Sequence, residues 1–337
     1  MDSTILCNRA AVEETAMNAA YTACISKLIA ENPNIMELEA DLGRSLLGNT
    51  YATLRRDYPM QLIDCGIQEA NMIGVASGLS ATGKIPFCHS FAAFASRRIA
   101  DQVFISGCYS KANIRIIGSD PGITSAFNGG THMPFEDISI YKAFPEMVIL
   151  DPTDSIMLKQ IMPLIAYKPG MYYMRLFRKN AVQVYLPGTT FEIGKSKQLL
   201  DGDDVTIIAE GILVAESLKA AKLLREENIH ARVVDMFTIK PLDEDAVIRA
   251  ATETGAIVTA ENHNVINGLG SSVADVLSQK KYAPLEKIGV YDLFGEVGPM
   301  DYLFEKFHLS AIDIAQAAKR AIERKEKNSI WEGFLCK

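Results

Sequence analysis

The chain has 337 residues, 48% hydrophobic and 22% charged, with a formal net charge of −7. That is the balance of a soluble globular protein with length for two domains. The acidic surplus and the absence of a basic run argue against nucleic acid as a partner, and Arg97-Arg98 is too short to change that. No stretch approaches the ~20 apolar residues of a membrane span. The opening Met1-Asp-Ser-Thr-Ile-Leu-Cys-Asn-Arg-Ala10 has no basic end leading into a long apolar run, so no secretory signal is expected. Cys7, Cys24, Cys65, Cys88, Cys108 and Cys336 show no Cys-x-x-Cys spacing, several within apolar runs. Disulfides and a zinc site are therefore not expected, and a reducing cytoplasm is.

In chain order, short apolar runs alternate with segments of helical period. Strands are expected at 35–42, 61–65, 85–89, 113–118, 147–150 and 171–177, with helices at 66–81, 94–110 and 154–167. Residues 179–202, with Pro187, Gly188 and Gly194, read as a linker. Alternation then resumes at 205–209, 215–227, 231–237, 243–252 and 256–260. A helix from Ser272, a strand at 288–294 and a helix at 313–325 complete it. The pattern predicts an α/β fold of two doubly wound, mostly parallel-sheet domains, 1–190 and 191–337. Only the charged 323–327 run suggests an unstructured tail.

Chemistry concentrates in three places. Asp64-Cys-Gly-Ile-Gln-Glu69-Ala-Asn-Met72 opens a small-residue helix with a carboxylate, and His89-Ser-Phe91-Ala-Ala-Phe94 then sets two aromatics three positions apart. By itself, Glu69 also fits an ordinary acid at a helix start. A polar, glycine-rich loop runs from Gly118 to Glu136 and carries Asp120, Asn128 and, after two glycines, His132. Loops after parallel strands bind ligands, and a histidine there can donate to a substrate oxygen or move a proton; an incidental surface histidine is the plainer reading. Tyr172-Tyr-Met-Arg-Leu-Phe-Arg178 ends with a guanidinium just past a strand, suited to an anion or simply solvated.

These segments resemble the transketolase family. The pattern around Glu69 is similar to its Gly-Ile-Arg-Glu-His-Ala-Met, Phe91 and Phe94 to its Phe-x-x-Phe, and the loop to its Asp-Gly-Pro-Thr-His-Gln-Pro-x-Glu through Gly129, Thr131, His132, Pro134 and Glu136. Glu39-Ala-Asp41-Leu42-Gly-Arg-Ser45 resembles the family's Ala-Asp-Leu strand end. Asp235–Asp243, Glu261–Gly270 and Phe294–Gly298 resemble the C-terminal domain it shares with 2-oxoacid dehydrogenase beta subunits. Gly268 and Gly270 complete no Gly-x-Gly-x-x-Gly, so a nucleotide site there is weakly supported, and His263 reads as structural.

The resemblance implies thiamine diphosphate as cofactor. Glu69 would be the activating carboxylate, Phe91, Phe94, Leu42 and Ile67 would meet the cofactor, His132 would act on substrate, and Asn128, Arg178, Ser45 and Asp120 would contact it. Two positions depart from the family: Asp120 stands where histidine is usual, and Asn128 where aspartate is. No Gly-Asp-Gly occurs, Gly202-Asp-Asp204 being the nearest echo. The chain therefore looks like the C-terminal subunit of a split transketolase. Mg²⁺ would be held by a separate N-terminal, diphosphate-binding subunit, and two copies of each chain would form a heterotetramer acting on sugars or sugar phosphates. The rivals are a 2-oxoacid dehydrogenase beta-type chain, a 1-deoxyxylulose-5-phosphate synthase-like enzyme and a degenerate regulatory subunit.

Overall fold

The computed structural model describes residues 11–335, with side chains through 327; Cys7 and Cys336 lie outside. The first half runs α1 (Met17–Glu31), β1 (Ile35–Glu39), α2 (Gly43–Leu47), α3 (Thr50–Asp57), β2 (Leu62–Asp64), α4 (Glu69–Ala81), β3 (Ile85–Phe91), α5 (Ala100–Gln102), β4 (Arg115–Ser119), α6 (Asp137–Lys142), β5 (Val148–Leu150), α7 (Ser155–Tyr167) and β6 (Tyr172–Leu176). The second runs β7 (Lys197–Leu200), β8 (Val205–Ala209), α8 (Leu213–Glu226), β9 (Ala231–Asp235), β10 (Thr238–Lys240), α9 (Glu244–Glu253), β11 (Ile257–Asn264), α10 (Leu269–Gln279), β12 (Leu285–Val290), α11 (Met300–Lys306) and α12 (Ala311–Leu335).

The apolar runs form two mostly parallel sheets. The first has the order β10-β5-β6-β4-β3-β1-β2 and the second β12-β11-β8-β9-β7. Among the described strands, only the edge strands β10 and β7 run antiparallel to their neighbours. Strands buried on both faces read as continuous hydrophobic runs, because each pleat face packs helices. On one face of the first sheet, Met36, Leu38, Cys88 and Ile116 meet Met72 and Ile73 of α4. On the other, Phe87, Ile117 and Met174 meet Tyr21 and Ile25 of α1 and Leu158 and Ile161 of α7. That second core continues into Ile207, Val233 and Val258 of the other sheet, so one apolar interior spans both halves.

Several local expectations give way. The helix expected at 94–110 forms over 97–109 but irregularly, as a 3₁₀ turn at Arg97–Ile99, the short α5 and a π-helix at Val103–Tyr109. There Gly107 lets Met171 approach to where a Cβ would sit. The linker at 179–202 contains β7, and its Val182 bridges back to Val12. Strand 288–294 begins earlier and stops at Val290, while 323–327 is part of α12. The short β10 crosses from the second half of the chain to pair with β5.

The two halves meet over a buried ionic cluster. Arg175 of β6 is fully buried, with Nε donating to Asp137 Oδ2 (2.9 Å), Nη1 to Asp151 Oδ2 (2.7 Å) and Glu210 Oε1 (3.3 Å), and Nη2 to the Asn262 carbonyl (2.8 Å). Tyr173 Oη adds a bond to Asp137 (2.7 Å). Burial drives the Asp151 and Glu210 carboxyls upward, with Arg175 pulling both back. Glu210, one residue past β8, and Asn262 of β11 come from the second half and the others from the first, so the cluster pins one sheet to the other.

Candidate functional site

The parallel order β6-β4-β3-β1-β2 brings five strand ends side by side. Phe91 pairs with Ser119, Ser119 with Leu176, Glu39 with His89, and Glu39 with Asp64. Ligands of open α/β sheets sit outside such carboxyl ends. Every residue singled out from the sequence for the site lies within a few positions of one of them, except Asn128 and His132, which the loop after β4 carries.

Glu69 is the first residue of α4 and 1% exposed. The chain reaches it through a turn in which Gly66 takes φ +69° and its N–H donates to Asp64 Oδ1 (2.8 Å). Helix dipole and orphan N–H groups favour a carboxylate there. Ser90 Oγ donates to Oε1 (2.8 Å), and Arg98 Nη1 to Oε2 (2.6 Å). The same Arg98 guanidinium lies 4.1 Å from the Phe94 ring centre. Phe91, Phe94 and His132 form an edge-to-face triad with centroids 6.2, 5.5 and 5.0 Å apart. Thr131 Oγ1 is 2.9 Å from His132 Nδ1 and fixes the ring from its outer side. The structure thus brings Glu69, Phe91, Phe94 and His132 together.

Arg178, Asp120 and Ser45 form a second group next to it. Asp120 takes φ +53°, a left-handed conformation aspartate tolerates better than most residues. Its Oδ2 accepts Arg178 Nε (2.8 Å) and Nη2, while Nη1 of the arginine donates to Ser45 Oγ and to the Ser45 carbonyl (3.2 Å). The guanidinium also sits 4.8 Å from the Phe91 ring centre, linking the two groups. Asp120 therefore neutralises Arg178 from within the fold. Leu42 is half-buried just before α2, and its N–H and that of Gly43 donate to Glu39 Oε2. Ile67 and Asn128 are exposed, Asn128 on the loop short of the triad.

Arg98 and His89 carry no motif that assigns them a role from sequence. The helical spacing from 94 hides the turn that folds Arg98 back onto Glu69. His89 is fully buried, its Nε2 3.0 Å from Ser119 Oγ and its Nδ1 without a partner among the described residues. Burial first, and Arg178 second, push its pKa down to about 3, so it stays neutral. In the second half, Glu261 fills the place a nucleotide phosphate would need, accepting the Leu269 N–H (2.7 Å) and Gly270 N–H (2.9 Å) at the start of α10. His263 is fully buried with Nδ1 donating to the Asn264 carbonyl (2.7 Å), and burial lowers its pKa to about 4. Asp203 and Asp204, just before β8, lie against His230, just before β9, where those strands of the second sheet begin and away from this site.

Residues 13–183 match the family model described as transketolase, pyrimidine binding domain, and 194–314 the one described as transketolase, C-terminal domain. The chain belongs to the transketolase family. It is 46% identical over 314 residues to the 6-deoxy-6-sulfo-D-fructose transketolase subunit SqwH of Clostridium sp. (strain MSTE9), covering 93% of this chain and 97% of that one. It is 33% identical to one of the apulose-4-phosphate transketolase subunits of Phocaeicola vulgatus, covering 92% and 98%. A solved split-gene transketolase, described as an inactive beta4 tetramer, superposes with TM-score 0.84 at 39% identity, covering 93% of this chain and all of that one. The transketolase of Leishmania mexicana shares the fold at TM-score 0.75 and 22% identity, but this chain covers only 46% of it. The chain thus covers nearly all of the split-gene transketolase chain and of the two transketolase subunits, and about half of the Leishmania mexicana transketolase. Among the described residues no helix is long and apolar enough to cross a membrane.

Proposed function

We propose that this chain is the pyrimidine-binding half of a split thiamine diphosphate-dependent transketolase, moving a two-carbon ketol unit between sugars. Residues 1–190 would be the pyrimidine domain and 191–337 the C-terminal domain. The observation that carries the reading is the buried Glu69 carboxylate opening α4 beside the Phe91–Phe94–His132 triad, in a chain that covers 97% of a transketolase subunit. The seat also fits the cofactor's ring: the flat, N–H-bearing guanidinium of Arg98 already lies over Phe94 with a hydrogen bond to Glu69.

Thiamine diphosphate, when bound, supplies a nucleophilic thiazolium carbon and an electron sink for breaking a bond beside a carbonyl. Glu69 would hold a proton between its carboxylate and a pyrimidine nitrogen, an exchange the ring's activation requires. Phe91, Phe94, Leu42 and Ile67 would flank the cofactor. His132, braced by Thr131, would hold or donate a proton at a substrate oxygen. Asn128, Ser45 and Arg178 would meet the rest of the sugar, with Asp120 acting on it through Arg178. The diphosphate and its Mg²⁺ would belong to a separate N-terminal subunit carrying Gly-Asp-Gly, in an assembly of two copies of each chain located in the cytoplasm. That a related split-gene chain is described as an inactive tetramer of one subunit type supports the need for the second. The chain and such a subunit, assayed together, should perform ketol transfer and not pyruvate decarboxylation; decarboxylation without ketol transfer would overturn the reading.

Asp120 would set the charge that Arg178 presents. Asp120→Asn removes the counter-charge and leaves the guanidinium cationic. The Michaelis constant for a phosphorylated or sulfonated sugar should then fall about tenfold, equivalent to ~1.4 kcal/mol, with turnover little changed. A rise instead would show that the carboxylate itself grips the substrate.

A further inference from the structure

The loop that carries Asp120, Asn128 and His132 is held as much by the second sheet as by the first. Asn262 of β11 is 2% exposed and turns both ends of its amide onto the loop backbone. Nδ2 donates to the Pro121 carbonyl (2.9 Å), and Oδ1 accepts the Ile123 N–H (2.9 Å). Between them Gly122 takes φ +53° and passes so close that a Cβ there would lie 2.2 Å from Asn262 Oδ1, which is why the position needs glycine. The Asn262 carbonyl is in turn fixed by Arg175 (2.8 Å). From this anchor Ser125 Oγ reaches the carbonyls of Asp120 (2.7 Å) and His132 (2.5 Å) and closes the loop on itself. Farther along, the Asn264 N–H donates to the Phe135 carbonyl (2.9 Å), and Gly130 and Gly295 pack backbone to backbone.

We infer that Asn262 is a positioning residue: the second sheet sets where His132 stands against Phe91 and Phe94, through two hydrogen bonds to a loop 139 to 141 residues away in sequence. The pair of bonds needs a donor and an acceptor on one short side chain, which an amide supplies. Leucine has nearly the asparagine's shape and neither bond, while aspartate can still accept from Ile123 but faces the Pro121 carbonyl with a second acceptor. A buried amide left without its partner costs more than the bond was worth, so the loop must shift rather than stay and go unpaired.

The test has two arms, of which only the kinetic one rests on the ketol-transfer reading. In the full chain alone, hydrogen exchange by mass spectrometry should show the peptide spanning 121–132 exchanging at least tenfold faster in Asn262→Leu, and less so in Asn262→Asp. Peptides over β3 and α4 should stay unchanged in both. In the chain joined with its diphosphate-binding subunit, the Michaelis constant for the ketose should rise at least tenfold in Asn262→Leu. Turnover should fall at least as far, because the variant displaces the group that would hold a proton at the substrate oxygen, with Asn262→Asp intermediate. Unchanged exchange at 121–132 in both variants would overturn the inference, as would faster exchange spread evenly over the chain. If the native pair shows no ketol transfer, the functional reading fails and the exchange arm still decides whether Asn262 holds the loop.

Discussion

Glu69→Gln is expected to lower ketol transfer by the assembled enzyme on the order of 10²–10⁴-fold, the range lost when a positioned proton-transfer group is removed. Glutamine keeps the length of the side chain and can still accept from Ser90 Oγ, so packing at the start of α4 is preserved. What it loses is the ability to give and take a proton. It also loses its ion pair with Arg98, which is 43% exposed and can turn to water. The melting temperature should therefore move little while the rate collapses. Measured turnover within a few-fold of the native enzyme would remove Glu69 from the chemistry and leave it as a helix-start acid.

Arg175→Met should destabilise the fold by about 3–5 kcal/mol, because it strands Asp137, Asp151 and Glu210 away from water without their cation. Against a typical total of about 5–15 kcal/mol, that is enough to threaten the native state. The loss should depend on pH in a definite direction. Burial already raises the Asp151 and Glu210 carboxyls, and Arg175 is what draws them down. Without it their folded-state values rise further above the unfolded ones. Acids raised in this way stabilise the fold below their unfolded pKa, and that contribution is lost as pH climbs. Denaturation at pH 5 and pH 8 should show the variant's deficit widening at the higher pH. A deficit below about 1 kcal/mol, flat with pH, would mean the cluster does not join the two sheets as described.

The parallel strands are legible in the sequence because burial on both faces writes itself as continuous apolar runs. The β3 expectation at 85–89 falls only two residues short of Phe91, and that at 113–118 overlaps β4 closely. Helix α1 is missing from the sequence expectations although Met17, Tyr21, Ile25 and Leu28 recur at three- and four-residue spacing, the signal that identifies it. Edge strand β10 is not legible, since its partner β5 lies some ninety residues earlier and no local period encodes that pairing. The same limit applies at the site. Motif spacing points to Glu69, Phe91, Phe94, His132 and Arg178 as residues. It carries nothing about Arg98 folding onto Glu69, Asp120 closing on Arg178, or Asn262 reaching the loop from another sheet. Those relations exist only once strands distant in sequence lie side by side.

On the proposed reading this chain holds one half of a cofactor site and needs a second chain for the other half. Isothermal titration of the purified chain with thiamine diphosphate and Mg²⁺, repeated after adding a diphosphate-binding transketolase subunit, tests it most directly. The chain alone should bind no tighter than millimolar, and the mixture should show micromolar binding with the onset of ketol transfer. Micromolar binding by the lone chain, or ketol transfer without the second subunit, would contradict it.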